Sequence, residues 1–191
     1  MHPVNFYCQL DYEHVPYPSE VNPKGNIANN GCGVCCTCMV LESMLGIPFS
    51  IEEGAKFALD CGARAPVGTN YYILAEEMTK RFPLDCIVTE DMEEVAAFLR
   101  EKKGLVVANT YGDRPDYIGV FSDGGHYVVA AALEGDQLAV WDPMYKEGSG
   151  RYDKPGRAGK VRMDEKTAWA DYHILGLDCR ERPYFLFSLR K

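Results

Sequence analysis

Hydrophobic positions change their rhythm near Gly104, with helical spacing before it and strand-like runs after it. Residues 1 to 31 carry no long periodic segment. They hold Pro3, Pro16, Pro18 and Pro23 among Asn and Gly, which reads as an extended entry arm. From Cys32 to Leu45 polar breaks are few and no proline intervenes. Asn29, Asn30 and Gly31 supply start signals, Gly46 and Pro48 end the segment, and a largely buried helix is expected. Ser50-Ile-Glu-Glu53 has the form of a capping box and predicts a second helix to about Asp60. Thr69 or Asn70 caps a third through about Phe82, with Tyr71, Leu74, Ala75 and Met78 at helical spacing. Asp91-Met-Glu-Glu94 opens a fourth that ends at Gly104.

Beyond Gly104, the runs Leu105 to Thr110, His126 to Leu133, Gln137 to Trp141 and Tyr184 to Leu189 are rich in Val, Leu and aromatics and bounded by turn residues. They predict strands. Tyr145 to Lys160 contains Gly148, Gly150, Gly156, Gly159 and Pro155, as expected of a mobile surface loop, and Met163 to Tyr172 reads as a short helix. The expected fold class is α+β, a helical first part packed on an antiparallel sheet. The chain has 191 residues, 47% hydrophobic and 25% charged, which suits one domain able to bury its own core.

Charge narrows the partners. Acidic residues outnumber basic ones by 28 to 20, the net charge is -8, and no Lys/Arg block stands out, so nucleic acid is not an expected partner. The longest apolar run, Tyr127 to Leu133, is too short for a bilayer and the amino terminus lacks a signal-peptide pattern. The expectation is a cytoplasmic protein without a membrane partner. The sequence does not fix the oligomeric state.

Chemistry concentrates around a cysteine cluster. Cys32, Cys35, Cys36 and Cys38 lie within seven positions, while Cys8, Cys61, Cys86 and Cys179 are scattered singly, so a disulfide scaffold is not the reading and reduced thiols are. Cys32 falls at the first turn of the predicted helix, where free amides and the helix dipole favour a thiolate. An imidazole beside it would make that thiolate a nucleophile. Of the four histidines, His2 lies at the terminus, His14 in the proline-rich arm and His173 near a helix end. His126 follows Asp123-Gly-Gly125 and opens an apolar strand that would hold its ring rigidly. Asp142 ends the next strand, where a carboxylate fixes an imidazole tautomer.

Side chains alternate along strands, so His126 and Asp142 share a face only if opposed residue numbers sum to an even value. A two-residue Gly135-Asp136 turn alone separates them. A three-residue Glu134-Gly135-Asp136 turn opposes Asp142 to Val128 and leaves His126 a same-face diagonal neighbour at roughly 7 Å, so that longer turn, or a bulge, is expected. Three other readings compete. Cys32-Gly-Val-Cys35 has the Cys-x-x-Cys form of dithiol oxidoreductases, the four clustered cysteines could hold a metal, and a binding module could keep the fold without catalysis. No cofactor or metal is expected.

Asn30-Gly-Cys-Gly33 before an apolar helix, Gly125-His126-Tyr-Val-Val and Val140-Trp-Asp142-Pro143 together resemble the bacteriocin-processing, double-glycine leader peptidase-like branch of the papain-like cysteine peptidases. Gln9-Leu-Asp11 and Gly68-Thr69 extend the similarity, which covers about residues 5 to 145. The resemblance implies a bacterial papain-like cysteine peptidase or amidase acting on a peptide or small amide. Cys32 would be the nucleophile, His126 the base and then acid, and Asp142 the orienting residue. Such enzymes commonly carry Gln six residues before the nucleophile to bind the oxyanion. Here that position is Asn26, with Asn29 or Gln9 as substitutes.

Overall fold

The computed structural model describes residues 3–191, so His2 lies outside the described residues. A 3-10 turn at Gln9–Asp11 and a short helix α1, Ile27–Asn30, interrupt the entry arm. Helices α2 (Cys32–Leu45), α3 (Ile51–Asp60) and α4 (Tyr71–Arg81) follow. Then come strand β1 (Leu84–Thr89), helix α5 (Met92–Arg100), and strands β2 (Gly104–Thr110), β3 (His126–Glu134) and β4 (Gln137–Trp141). Strands β5 (Arg162–Asp164) and β6 (Thr167–Asp171), helix α6 (Tyr172–Asp178) and strand β7 (Tyr184–Leu189) complete the described chain.

Local chemistry explains most boundaries. Ser50 and Glu53 form both arms of the capping box on α3, while Asn70 and Asp91 each accept a backbone amide at the start of α4 and α5. Helix α2 ends at Gly46 in the left-handed conformation.

All seven strands pair antiparallel in the order β1-β7-β2-β3-β4-β6-β5. At Gly104 a Cβ would collide with the Phe187 carbonyl, so β2 can approach β7 there only as glycine. One face of the sheet, through Val107, Val129, Trp141 and Phe185, packs with α2, α3 and α4. The other, through Val106, Val128, Val140 and Leu186, packs with α5 and α6. Helix α2 is buried along nearly its whole length, as its few polar breaks predict.

One expectation fails and one strand went unread, each for a physical reason. The segment expected as a helix over Met163 to Tyr172 forms β5 and β6, joined through Glu165 at φ 52°. Trp169 faces the α2 side while Ala168 and Ala170 face the α5 side, so Thr167–Asp171 is buried on both faces and shows no polar alternation. Strand β1, absent from the sequence reading, is an edge strand whose Ile87 and Val88 are exposed.

A buried carboxylate helps tie down the start of the entry arm. Glu42, in α2, accepts from Asn5 Nδ2 at 2.8 Å, Tyr7 Oη at 2.9 Å and Phe49 N at 2.9 Å. Burial and then the Glu42 carboxylate push the Tyr7 hydroxyl well above its usual range, keeping it a donor. Replacing Glu42 by Leu strands three donors, and chemical denaturation is expected to report a loss of about 2 kcal/mol, with proteolysis entering first at the arm.

Candidate active site

Cys32 is the first residue of α2. Its N-cap, Gly31, brings no side chain to the helix end, so the first-turn amides stay open to an anion. The sulfur lies beside the His126 ring and against the amides of Tyr127 and Gly33. Burial opposes ionisation of the thiol, but His126 and those amides outweigh it and bring Cys32 below the ordinary cysteine value. Cys35, Cys36 and Cys38 are pushed the other way, first by burial and then by neighbouring thiols for Cys35 and Cys36 and by Glu42 and Glu53 for Cys38. All eight cysteines are free, and among the described residues no three His, Cys, Asp or Glu side chains converge to hold a metal ion.

His126 opens β3 opposite Thr110, whose hydroxyl donates to the His126 carbonyl at 3.2 Å. Asp142 directly follows β4 on the neighbouring strand, and its Oδ1 lies 2.7 Å from His126 Nε2. That contact leaves Nδ1 for Cys32.

The hairpin reaches this geometry through a bulge. Glu134 opposes Gln137 across the two-residue Gly135-Asp136 turn, which alone would place His126 and Asp142 on opposite faces. Between Ala130 and Ala132 the register shifts by one, so Val129 opposes Trp141 and the extrapolated partner of Asp142 is Val128. The packing records the change: Ala131 and Ala132 both face the α2 side, breaking the alternation of Val128, Val129 and Ala130. Of the two devices anticipated, the bulge is the one present.

Asp142 is fully buried, yet it stays ionised. Burial alone would raise its pKa, but the Arg151 guanidinium, then His126 and Tyr152, hold it well below the usual carboxylate range. Arg151 Nε donates to Oδ2 at 2.5 Å, Tyr152 Oη to the same oxygen at 2.6 Å, and Met144 N to Oδ1 at 2.8 Å. Sequence reasoning missed Arg151 and Tyr152. They lie in the glycine-rich stretch read as a mobile surface loop, but that stretch buries Tyr152 and Arg157, and a Gly-Arg-Tyr run inside it was the signal available. For His126, burial opposes protonation while Asp142 and Cys32 favour it more, giving a pKa of about 9.

Asn26 caps α1, its Oδ1 accepting from Asn29 N at 3.1 Å. Gln9 is buried. Its backbone amide donates to the carbonyl of Pro143, next to Asp142, at 2.8 Å, and its Nε2 to Ala28 O, just ahead of Cys32, at 2.8 Å. A separate cavity of about 550 Å³ lies at the far end of α2, lined by Met44, Leu105 and Trp141, and holds none of these groups.

Folding lifts His126 from 6.5 to about 9, so its stabilisation is complete below about pH 6.5 and lost as pH rises through about 9. Asp142 acts oppositely, its contribution being present above 3.8 and lost only in strong acid. Cys32, held below 9.0, contributes with the opposite sign as pH rises to that value, so the fall through about pH 9 is read as the difference between wild type and His126→Ala in thermal denaturation, and an equal pH dependence in the two refutes the buried pair. Deleting Ala131 restores odd parity, and the His126 titration followed by NMR is expected to fall from about 9 toward the ordinary histidine range.

No family model matches the chain, and no curated protein matches its sequence. Solved structures do. The peptidase domain of Streptococcus ComA, a bi-functional ABC transporter involved in a quorum-sensing pathway, superposes with a TM-score of 0.54 at 14% identity, covering 83% of this chain and 91% of that one. A Bacillus anthracis protein described as a C39-like peptidase gives 0.56 at 13% identity, covering 98% and 96%. No helix among the described residues is long and apolar enough to cross a membrane. Likeness at this level of identity carries architecture, and the chain has the α+β papain-like fold of the C39 peptidase domains, the branch its motifs resemble.

Proposed function

We propose that the chain is a cysteine peptidase or amidase that cleaves a peptide or small amide through an acyl-enzyme. The observation that carries this reading is geometric: Cys32, first residue of α2, lies against an imidazole whose far nitrogen is held by a buried carboxylate, and of the four clustered thiols it alone is drawn toward the thiolate. The C39 peptidase fold supports the same reaction class.

In this mechanism the Cys32 thiolate attacks the carbonyl carbon and the carbonyl electrons move onto oxygen. The imidazolium of His126 gives its proton to the departing amine as the C–N bond breaks, leaving a thioester. His126, now neutral, takes a proton from water, the hydroxide attacks the thioester, and the acid product leaves as the thiolate re-forms. Asp142 fixes the ring throughout. The Cys32 amide and a side-chain amide receive the oxyanion. Asn26 sits at the family's position and, with its oxygen serving the cap of α1, keeps its amide N–H groups as one candidate donor, while Gln9, whose Nε2 donates to Ala28 O and retains a second hydrogen, is the other.

A thiol-directed activity probe tests the assignment. Labelling is expected to vanish in Cys32→Ala and to slow by roughly a thousandfold in His126→Ala, with cleavage of a peptide library lost in both. Activity should rise with Cys32 ionisation and fall near pH 9 as His126 loses its proton. Probe spread over several cysteines, or indifferent to His126, defeats the hydrolase reading.

A further inference from the structure

The carboxylate oxygen that His126 does not use is as fully engaged as the one it does. Asp142 Oδ2 accepts from Arg151 Nε at 2.5 Å and from Tyr152 Oη at 2.6 Å. Arg151 is almost wholly buried, and its Nη2 continues to the carbonyl of Phe121. Phe121 is itself fixed, its amide donating to the buried Asp178 at 2.6 Å, while Arg157 Nε reaches the Gly119 carbonyl at 2.8 Å. The stretch leading into His126 and the stretch following Asp142 are thus bolted together by two arginines.

The proposed reaction explains why such a bolt is useful. A buried carboxylate with no other partner would concentrate its charge on the imidazolium and hold that proton too tightly for an acid that must release it to the leaving amine. A guanidinium and a phenol on the opposite oxygen draw part of that charge away and also fix the carboxylate's rotation. Resting on the hydrolase reading, we propose that Arg151 and Tyr152 are positioning residues that act through Asp142 to set both the orientation and the proton affinity of His126. The groups facing His126 are Cys32 from α2 and Asp142. Those facing Asp142 are His126, Arg151, Tyr152 and, at longer range, Cys36 of α2, whose thiol burial keeps protonated and therefore neutral.

The sign of the effect separates this role from simple packing. In the full chain, NMR titration of the His126 ring is compared across wild type, Arg151→Met, Arg151→Lys and Tyr152→Phe, alongside kcat/KM on any cleaved peptide. Arg151→Met is expected to raise the His126 midpoint by roughly one unit and to lower kcat/KM about tenfold. Arg151→Lys keeps the charge and brings the midpoint back toward wild type, while Tyr152→Phe moves it upward by a smaller step. A midpoint that stays still or falls in both Arg151→Met and Tyr152→Phe overturns the proposal, even where activity drops. Should Arg151→Met not fold, an upward step in Tyr152→Phe supports the clamp and its absence refutes it. The titration needs no turnover, so a wild-type protein that cleaves and labels nothing sinks the hydrolase reading while the ring midpoint still decides the clamp.

Discussion

An ionised carboxylate in a dry interior is costly unless every lone pair is met, and Asp142 is the place where this chain accepts that cost. Its charge is shared among an imidazole, a guanidinium, a phenol and a backbone amide drawn from three stretches of chain. Once it is in place, the imidazole has a defined tautomer, the nearby sulfur has a cationic neighbour, and the glycine-rich stretch has a reason to fold inward. Removing any one donor leaves the others facing an under-neutralised charge, so these contacts behave as a unit.

Backbone geometry delivers the partners to that charge. The helix bearing Cys32 and the hairpin bearing His126 and Asp142 are built independently, and the one-residue irregularity at Ala131 makes the two strands agree at their far end. Tyr127 joins the two parts: its amide lies against the Cys32 sulfur, and its hydroxyl donates to the Thr69 carbonyl at 3.2 Å. Thr69 in turn packs so closely on Gly33 that a Cβ there would sit 3.0 Å from the Thr69 Cβ, and its hydroxyl lies 2.8 Å from that of Tyr17.

Much of this was legible in the residues. Capping signals at Ser50, Asn70 and Asp91 located three helices because side chains there satisfy backbone amides locally. The hairpin constraint on His126 and Asp142 followed from strand parity alone, which left only the choice between a longer turn and a bulge. Three features were hidden for different reasons. Strand β6 is buried on both faces and carries no alternation, and β1 exposes apolar residues at an edge. The partners of Asp142 sit among glycines, which mark turns without revealing which neighbouring side chain points inward. Motif position placed Asn26 at the expected offset, where its oxygen also starts a helical turn, but gave no sign that Gln9, distant in sequence, lies beside Pro143.

The order of strands has a consequence for how the molecule assembles. Strand β7 lies between β1 and β2, so β1 has no partner until residues 184–189 emerge during synthesis. The β2-β3-β4 meander can pair early from neighbouring segments, whereas closing the sheet demands contacts between strands about a hundred residues apart, a slow step by the usual dependence on sequence separation. During that interval the apolar side chains of β1, Ile87 and Val88 among them, await the last strand, which makes this edge the point most exposed to mispairing with another nascent chain.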